Sequence, residues 1–303
     1  MKGIIVIGLG LLVPAAGSWQ TANTLARPAY ASGAGPRVLY DTAHWNPSLD
    51  DGRYRAVADL LRADGYRIEG GAIPFEMAAL GGYDILLSVT PYAADRASNP
   101  AEAARPVFSD AQCDTLEAWV RKGGKLLFVV GHQPSGIAHA NLAARFGIEL
   151  RNGSAMDATP ANNWVDGHAS CGGCLKFTRE NGLLRLHPIT EGRDAEERVM
   201  SVISAVGQSI AVRNPRDILL AMGPDSYDVL PDKRRLPAKG RAQAVAVSAG
   251  AGRVVVIGDG SILSGFTYGA ENPGFRRWWP KDPDNRQFTL NVMHWLSGLL
   301  PGP

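Results

Sequence analysis

The chain lacks a long apolar stretch, an excess of either charge, and any internal repeat or coiled-coil pattern. Its leading apolar run, Gly3 to Val13, is broken by Pro14. That run falls short of the roughly 20 residues a helix needs to cross a bilayer. Lys and Arg number 31 against 29 Asp and Glu. Lys2 and Arg27 both precede Ser32, with no acidic residue among the first 31, so a chain starting at Ser32 has no net formal charge. A polyanion-binding surface needs a basic excess or stripe. The basic cluster Lys233-Arg234-Arg235, with Lys239 and Arg241 nearby, reads as a solvated loop. No nucleic-acid partner is expected, and no cofactor.

What is present is an ordinary globular composition. The 303 residues are 45% hydrophobic and 20% charged, which allows one large α/β domain or two small ones. Lys2, the apolar run and Ala29-Tyr30-Ala31 before Ser32 have the layout of a secretory signal peptide over residues 1–31. The expectation is a periplasmic or secreted protein with no membrane span once the signal is cleaved. A single Lys before the run keeps an uncleaved anchor as the alternative.

Strand and helix patterns alternate from Arg37 onward. Arg37 to Asp41, Tyr66 to Glu69, Tyr83 to Val89 and Lys125 to Val130 read as strands. Between them lie a helix carrying Val57, Leu60 and Leu61, and another opened by Ser109 with Gln112 as its capping-box partner. Gly65, Gly123-Gly124 and Gly147 mark stops. A further helix is predicted from about Ile137 to Phe146. This rhythm predicts an α/β fold with a mostly parallel, doubly wound sheet. Residues 90–108 are long enough to form a flap over the sheet edge.

The rhythm breaks over 151–241, where short strand-like runs such as Gln208 to Val212 and Ile218 to Met222 predict an antiparallel β excursion within one domain, 37–300. Val245 to Ser248 and Arg253 to Ile257 flank Ala249-Gly250-Ala251-Gly252 as a hairpin. The second arm is a buried strand with four β-branched apolar residues, ending at Gly258-Asp259-Gly260-Ser261. The last helix opens at Asp284, with Gln287 as its capping partner.

Five segments carry a resemblance: Gly123 to Val130, Asn141 to Ile148, His187-Pro188-Ile189-Thr190, Gly252 to Ser261, and Asp284-Asn285 leading to Trp295-Leu296. Together they resemble the class I glutamine amidotransferase-like family of flavodoxin-like fold. The nearest likeness is to exported bacterial members of unknown function, related to ThuA-like proteins and to the amidotransferase-like domain of intraflagellar transport proteins. The resemblance implies a nucleophilic Cys on a turn after a strand, within Gly-x-Cys-x-Gly-x-Gln. Here Gly131-His132-Gln133 echoes the end of that motif, but Val129 stands two positions before Gly131. His187-Pro188 resembles the family's base-bearing His-Pro-Glu. Without a thiol it has nothing to activate, and glutaminase activity is not expected.

In open α/β sheets, ligands sit at the carboxyl ends of the strands. That rule selects Asp41 and His44 after the first strand, His132 and Gln133 after the fourth, and Asp259 and Ser261 after the last, with Asn285 joining them if the two turns share an edge. Each has a competing local reading: Asp259 and Asp284 as caps of turns or helices, His44 as loop packing. Trp278, Trp279, Arg276 and Arg277 could form an aromatic lip for a sugar, or pin a long loop. Cys171 and Cys174 read as a loop disulfide in an exported chain, with metal and redox roles ranked below it; Cys113 reads as a buried free thiol. No metal site is assigned. The leading expectation is an exported amidotransferase-like protein binding a small molecule or sugar at a strand-end cleft. The alternatives are a hydrolase using Asp/His acid–base or metal chemistry, and an envelope assembly module with a protein partner.

Overall fold

The computed structural model describes residues 25–49, 54–133, 135–164, 174–264 and 284–302. Its first half alternates: β1 (Arg37–Asp41), α1 (Arg55–Ala63), β2 (Arg67–Gly71), α2 (Met77–Leu80), β3 (Ile85–Val89), α3 (Pro100–Ala103), α4 (Asp110–Arg121), β4 (Lys125–Val129) and α5 (Ala140–Arg145). Short strands follow: β5 (Glu149–Leu150), β6 (Ser154–Asp157), β7 (Leu175–Thr178), then α6 (Pro188–Glu191), β8 (Ser201–Ser204), β9 (Ile210–Ala211), β10 (Ile218–Ala221), β11 (Ser226–Val229) and β12 (Arg235–Pro237). The chain closes with β13 (Ala242–Ala249), β14 (Gly252–Ile257), α7 (Ser261–Ser264) and α8 (Asn285–Leu296).

The large sheet has nine strands, in the order β2-β1-β3-β4-β14-β13-β9-β5 with β10 also on β13. The first five in that order run parallel. They repeat the 2-1-3-4-5 order of flavodoxin-like sheets, whose switch point lies between the first and third strands. The remaining strands join antiparallel. Apolar, largely β-branched or leucine runs make this arrangement stable because both faces are covered. One face packs on α1 and α8 through Val57, Leu61, Phe288 and Val292. The other packs on α4 and α5 through Leu116, Trp119 and Leu142.

Local signals operate as read in most places. Ser109 and Gln112 form the reciprocal capping box of α4. Gly65, Gly123 and Gly147 adopt positive φ after helices. The predicted helix over 137–146 is split, with a 3-10 turn at Ser135–Ile137 before α5. At α8 a tertiary contact displaces the local one. Asp284 makes no side-chain cap; its Oδ2 accepts from Met200 N (2.7 Å) and Ser201 N (3.1 Å) instead.

The 151–241 excursion divides in three. β6, β11 and β12 form a small antiparallel sheet, β7 and β8 a two-stranded one, and β9 and β10 join the large sheet. Buried Asp228 ties the small sheet back by accepting from Ser209 N (3.1 Å) and Arg151 Nη1 (3.1 Å).

Candidate functional site

The strand ends place Asp41, His132 and Asp259 along one edge of the parallel sheet, but on two separate groups of contacts. On the α1/α8 face, the outward edge of β8 has no neighbouring strand among the described residues. Side chains take its place at every second residue, the spacing at which one edge of a strand presents its backbone groups. Ser201 bonds Asp284, whose N donates to Ser201 O at 3.0 Å. Ile203 N donates to Asn285 Oδ1 (2.9 Å), and Asn285 Nδ2 donates back to Ile203 O (2.8 Å). Ala205 N donates to Asp259 Oδ2 (2.5 Å) and reaches Ser261 Oγ (2.9 Å). Ser204 Oγ lies 2.9 Å from Asp259 Oδ2, and the Ser261 hydroxyl also donates to that oxygen. Asp259, Ser261 and Asn285 are thus occupied in holding the β7–β8 pair by the end of β14.

The other group surrounds the β1/β3 switch point. Asp41 is buried, shares the face of Leu39, and accepts from Ala43 N (3.0 Å) and from His44 Nδ1 (2.8 Å). A carboxylate only accepts, so Nδ1 of His44 carries the proton and Nε2 is left without a hydrogen-bond partner among the described residues. The His44 ring packs 4.8 Å from Phe108 and 5.4 Å from Phe75, centroid to centroid. Phe108 also lies 5.7 Å from His139, which stacks on Phe128 at 5.2 Å.

His139 Nε2 meets Ser88 Oγ at 2.9 Å, with both residues fully buried. Burial, reinforced by His44, lowers the His139 pKa to about 3 and keeps the ring neutral. Its Nδ1 is buried without a hydrogen-bond partner among the described residues. The 90–108 connection brings Phe108 here. It is held by Tyr92 N donating to His44 O (2.9 Å) and Val107 N donating to Ala138 O (2.9 Å).

Two backbone outliers mark the same edge. Trp45 has φ +49 and Thr90 has φ +38. Positive φ in a bulky or β-branched residue is strained, and such strain clusters at ligand sites. The Trp45 side chain stays 60% exposed immediately after the Asp41–His44 pair.

The remaining predicted residues stand apart. His132 is exposed, with Nδ1 2.7 Å from Gln133 O, and Gln133 N donates to Gly153 O at 3.2 Å. Val129, where the amidotransferase resemblance would want a nucleophile nearby, is a buried apolar strand residue. His187 caps α6 by accepting from Ile189 N (3.1 Å) and packs 5.7 Å from Trp295. Trp295 lies at the opposite end of the sheet, where its carbonyl takes Arg253 from the start of β14.

Cys113 is a buried free thiol with its pKa raised to about 11 by burial, and Cys174 is disulfide-bonded. Cys171 and the lip residues Arg276, Arg277, Trp278 and Trp279 lie outside the described residues. Among the described residues no group of three His, Cys, Asp or Glu is placed to hold a metal, and no helix is long and apolar enough to cross a membrane. A polar hollow of about 350 Å³ lies at the hairpin end of the sheet, by Arg121, Arg145 and Gly250, away from the strand ends.

Sequence reasoning passed over Ser88, His139 and Phe108. The available signal was Ser88 itself, the polar residue inside the apolar run Ile85 to Val89.

No family model matches the chain, and no curated protein does. Solved structures do. The N-terminal domain of mmIFT52 aligns over 86% of this chain and 97% of its own, with TM-score 0.58 and 14% identity. The likeness is one of fold. Other matches include ThuA-like proteins from Parabacteroides merdae (10% identity, 89% of this chain, 92% of that one, TM-score 0.42) and Bacteroides uniformis (14%, 88%, 93%, TM-score 0.42).

Proposed function

We propose that this chain is an exported, amidotransferase-like protein without the glutaminase nucleophile that binds a small polar ligand, foremost a sugar, at the ends of β1 and β3. The observation that carries the reading is the exposed, backbone-strained Trp45 beside the Asp41–His44 pair. An indole face stacks on the apolar face of a sugar ring. His44 Nε2, its ring fixed by Asp41, offers a hydrogen-bonding atom to a sugar hydroxyl.

The half of the edge formed by Asp259, Ser261 and Asn285 is engaged with the β7–β8 pair, which supports placing the proposed ligand at the switch point. A hydrolase reading would rest on Asp41, His44, His132 and Asp259 meeting in one group, which the separate contacts of Asp259 with Ala205 and of Asp41 with His44 do not favour; the nearby Ser88–His139 pair is no better placed. A fully buried imidazole with its pKa lowered to about 3 is a poor base for a serine proton at neutral pH, so binding is preferred over catalysis.

Thermal shift against glucose, galactose, mannose and N-acetylglucosamine tests it, because a ligand of the native state raises Tm with concentration. At least one sugar is expected to raise Tm in the wild type. Trp45→Gly is expected to abolish that response while leaving the unliganded Tm unchanged or raised, since glycine relieves the positive φ. A flat response to all four sugars, or an equal response in Trp45→Gly, would overturn the reading.

A further inference from the structure

The segment preceding β1 is fastened to the domain by groups far away in the chain. Arg27 pairs with Asp194 (2.6 Å) and Glu196 (2.8 Å), and Arg193 donates to Arg27 O (3.1 Å). Ala29 N donates to Asp64 Oδ1 at 2.7 Å, and Tyr30 N to Asp64 O at 3.2 Å. Asp64 is buried at the end of α1, and its other oxygen takes His294 Nε2 at 2.7 Å. The Tyr30 ring meets Tyr66 edge-on at 5.3 Å.

Gly65, the stop of α1, is fitted to this path. A Cβ there would lie 2.5 Å from Tyr30 O and 2.8 Å from Ala31 O. A chain starting at Ser32 would lose every one of these ties to residues 27–31. Asp64 Oδ1 would lose its N–H donor, and the acidic pair Asp194 and Glu196 would lose the arginine between them. A buried carboxylate stripped of a donor is destabilising.

We infer that residues 27–31 persist in the mature protein as a strap across the end of α1 and the 193–197 loop, and that any proteolytic removal of the leader cuts before Arg27. The Ala29-Tyr30-Ala31 pattern then belongs to the fold. Ala15-Ala16-Gly17, just past Pro14 at the end of the apolar run, supplies the small residues a leader peptidase reads.

The test is expression of the full chain with its own leader in a bacterial host, followed by intact mass and N-terminal sequencing of the purified protein. A mature chain that contains Arg27 is expected; an N-terminus at Ser32 would overturn the inference. Arg27→Glu, made in the same full chain, leaves the Ala29–Ala31 pattern intact and sets a third acid beside Asp194 and Glu196. It is expected to lower Tm by about 2–4 °C, with Arg27→Lys restoring most of it. An Arg27→Glu protein with wild-type Tm would count against the strap, because a residue that has been removed, or that holds nothing, cannot change stability.

Discussion

Replacing Asn285 with alanine separates a structural amide from a ligand-binding one. Its side chain is fully buried and mimics a strand neighbour, accepting from Ile203 N at 2.9 Å and donating to Ile203 O at 2.8 Å. Ile203 is itself only 1% exposed, so in Asn285→Ala both of its backbone groups lose their partner where water has little access. Each buried group left unmatched costs about 1–3 kcal/mol. The pair therefore predicts a loss of about 2–6 kcal/mol, which at ~2 °C per kcal/mol for a chain of this size is a fall of about 4–12 °C in Tm. Asn285→Asp keeps the acceptor but turns a carboxylate oxygen toward Ile203 O, and is expected to cost at least as much. Urea denaturation followed by far-UV circular dichroism gives the free energy directly. If Asn285→Ala leaves the unfolding midpoint within error and instead removes a sugar response, Asn285 is a ligand residue and the edge-replacement account of β8 is wrong.

Two further outcomes follow from the packing. His139 and His187 both have pKa values lowered by burial, to about 3 and about 4; their unfolded value is about 6.5. Below pH ~6.5 the unfolded chain takes up protons that the folded chain refuses, so stability falls with decreasing pH down to about 4, by up to ~1.4 kcal/mol per pH unit for each ring. His139→Leu should flatten that slope by one proton's share in urea midpoints collected from pH 7 to 4; an unchanged slope would show that the folded protein binds a proton at His139 as readily as the unfolded chain does. Gly252→Ala would place a Cβ 2.0 Å from Val120 O and 2.3 Å from Gly124 O, a collision with backbone at the foot of the β13–β14 hairpin. It is expected to cost about 3 kcal/mol or more, whereas Gly182→Ala, with open space but φ +71, should cost about 1 kcal/mol; equal urea midpoints for the two variants would refute the close-approach argument.

The elements that local chemistry controls were legible in the chain itself. Apolar runs at Ile85–Val89 and Gly252–Ile257, the helix stripes of α1 and α4, the Ser109–Gln112 box and the glycine stops each act within a few residues of themselves. From them follow the alternation of strand and helix and the parallel half of the sheet. Position after a strand also located Asp41, His44 and Asp259 on one edge, because parallel strands end together.

What those polar residues do was decided only by tertiary packing. Asn285 and Ile203 lie 82 positions apart, Asp259 and Ala205 54, and His139 and Ser88 51. Asp284 illustrates the physical reason. A helix-capping aspartate satisfies an N–H that water can also reach, but the N–H groups of Met200 and Ser201 have, among the described residues, no strand to pair with. The unpaired strand edge claims the carboxylate, and the same need engages Asp259, Ser261 and Asn285. At the ends of β1 and β3 the β7–β8 pair makes no such demand, and the Asp41–His44 pair stays beside an exposed Trp45. The sequence by itself determines which edge of the sheet carries the polar groups; only the folded position of the β7–β8 pair decides which of them brace the structure and which lie beside the exposed Trp45.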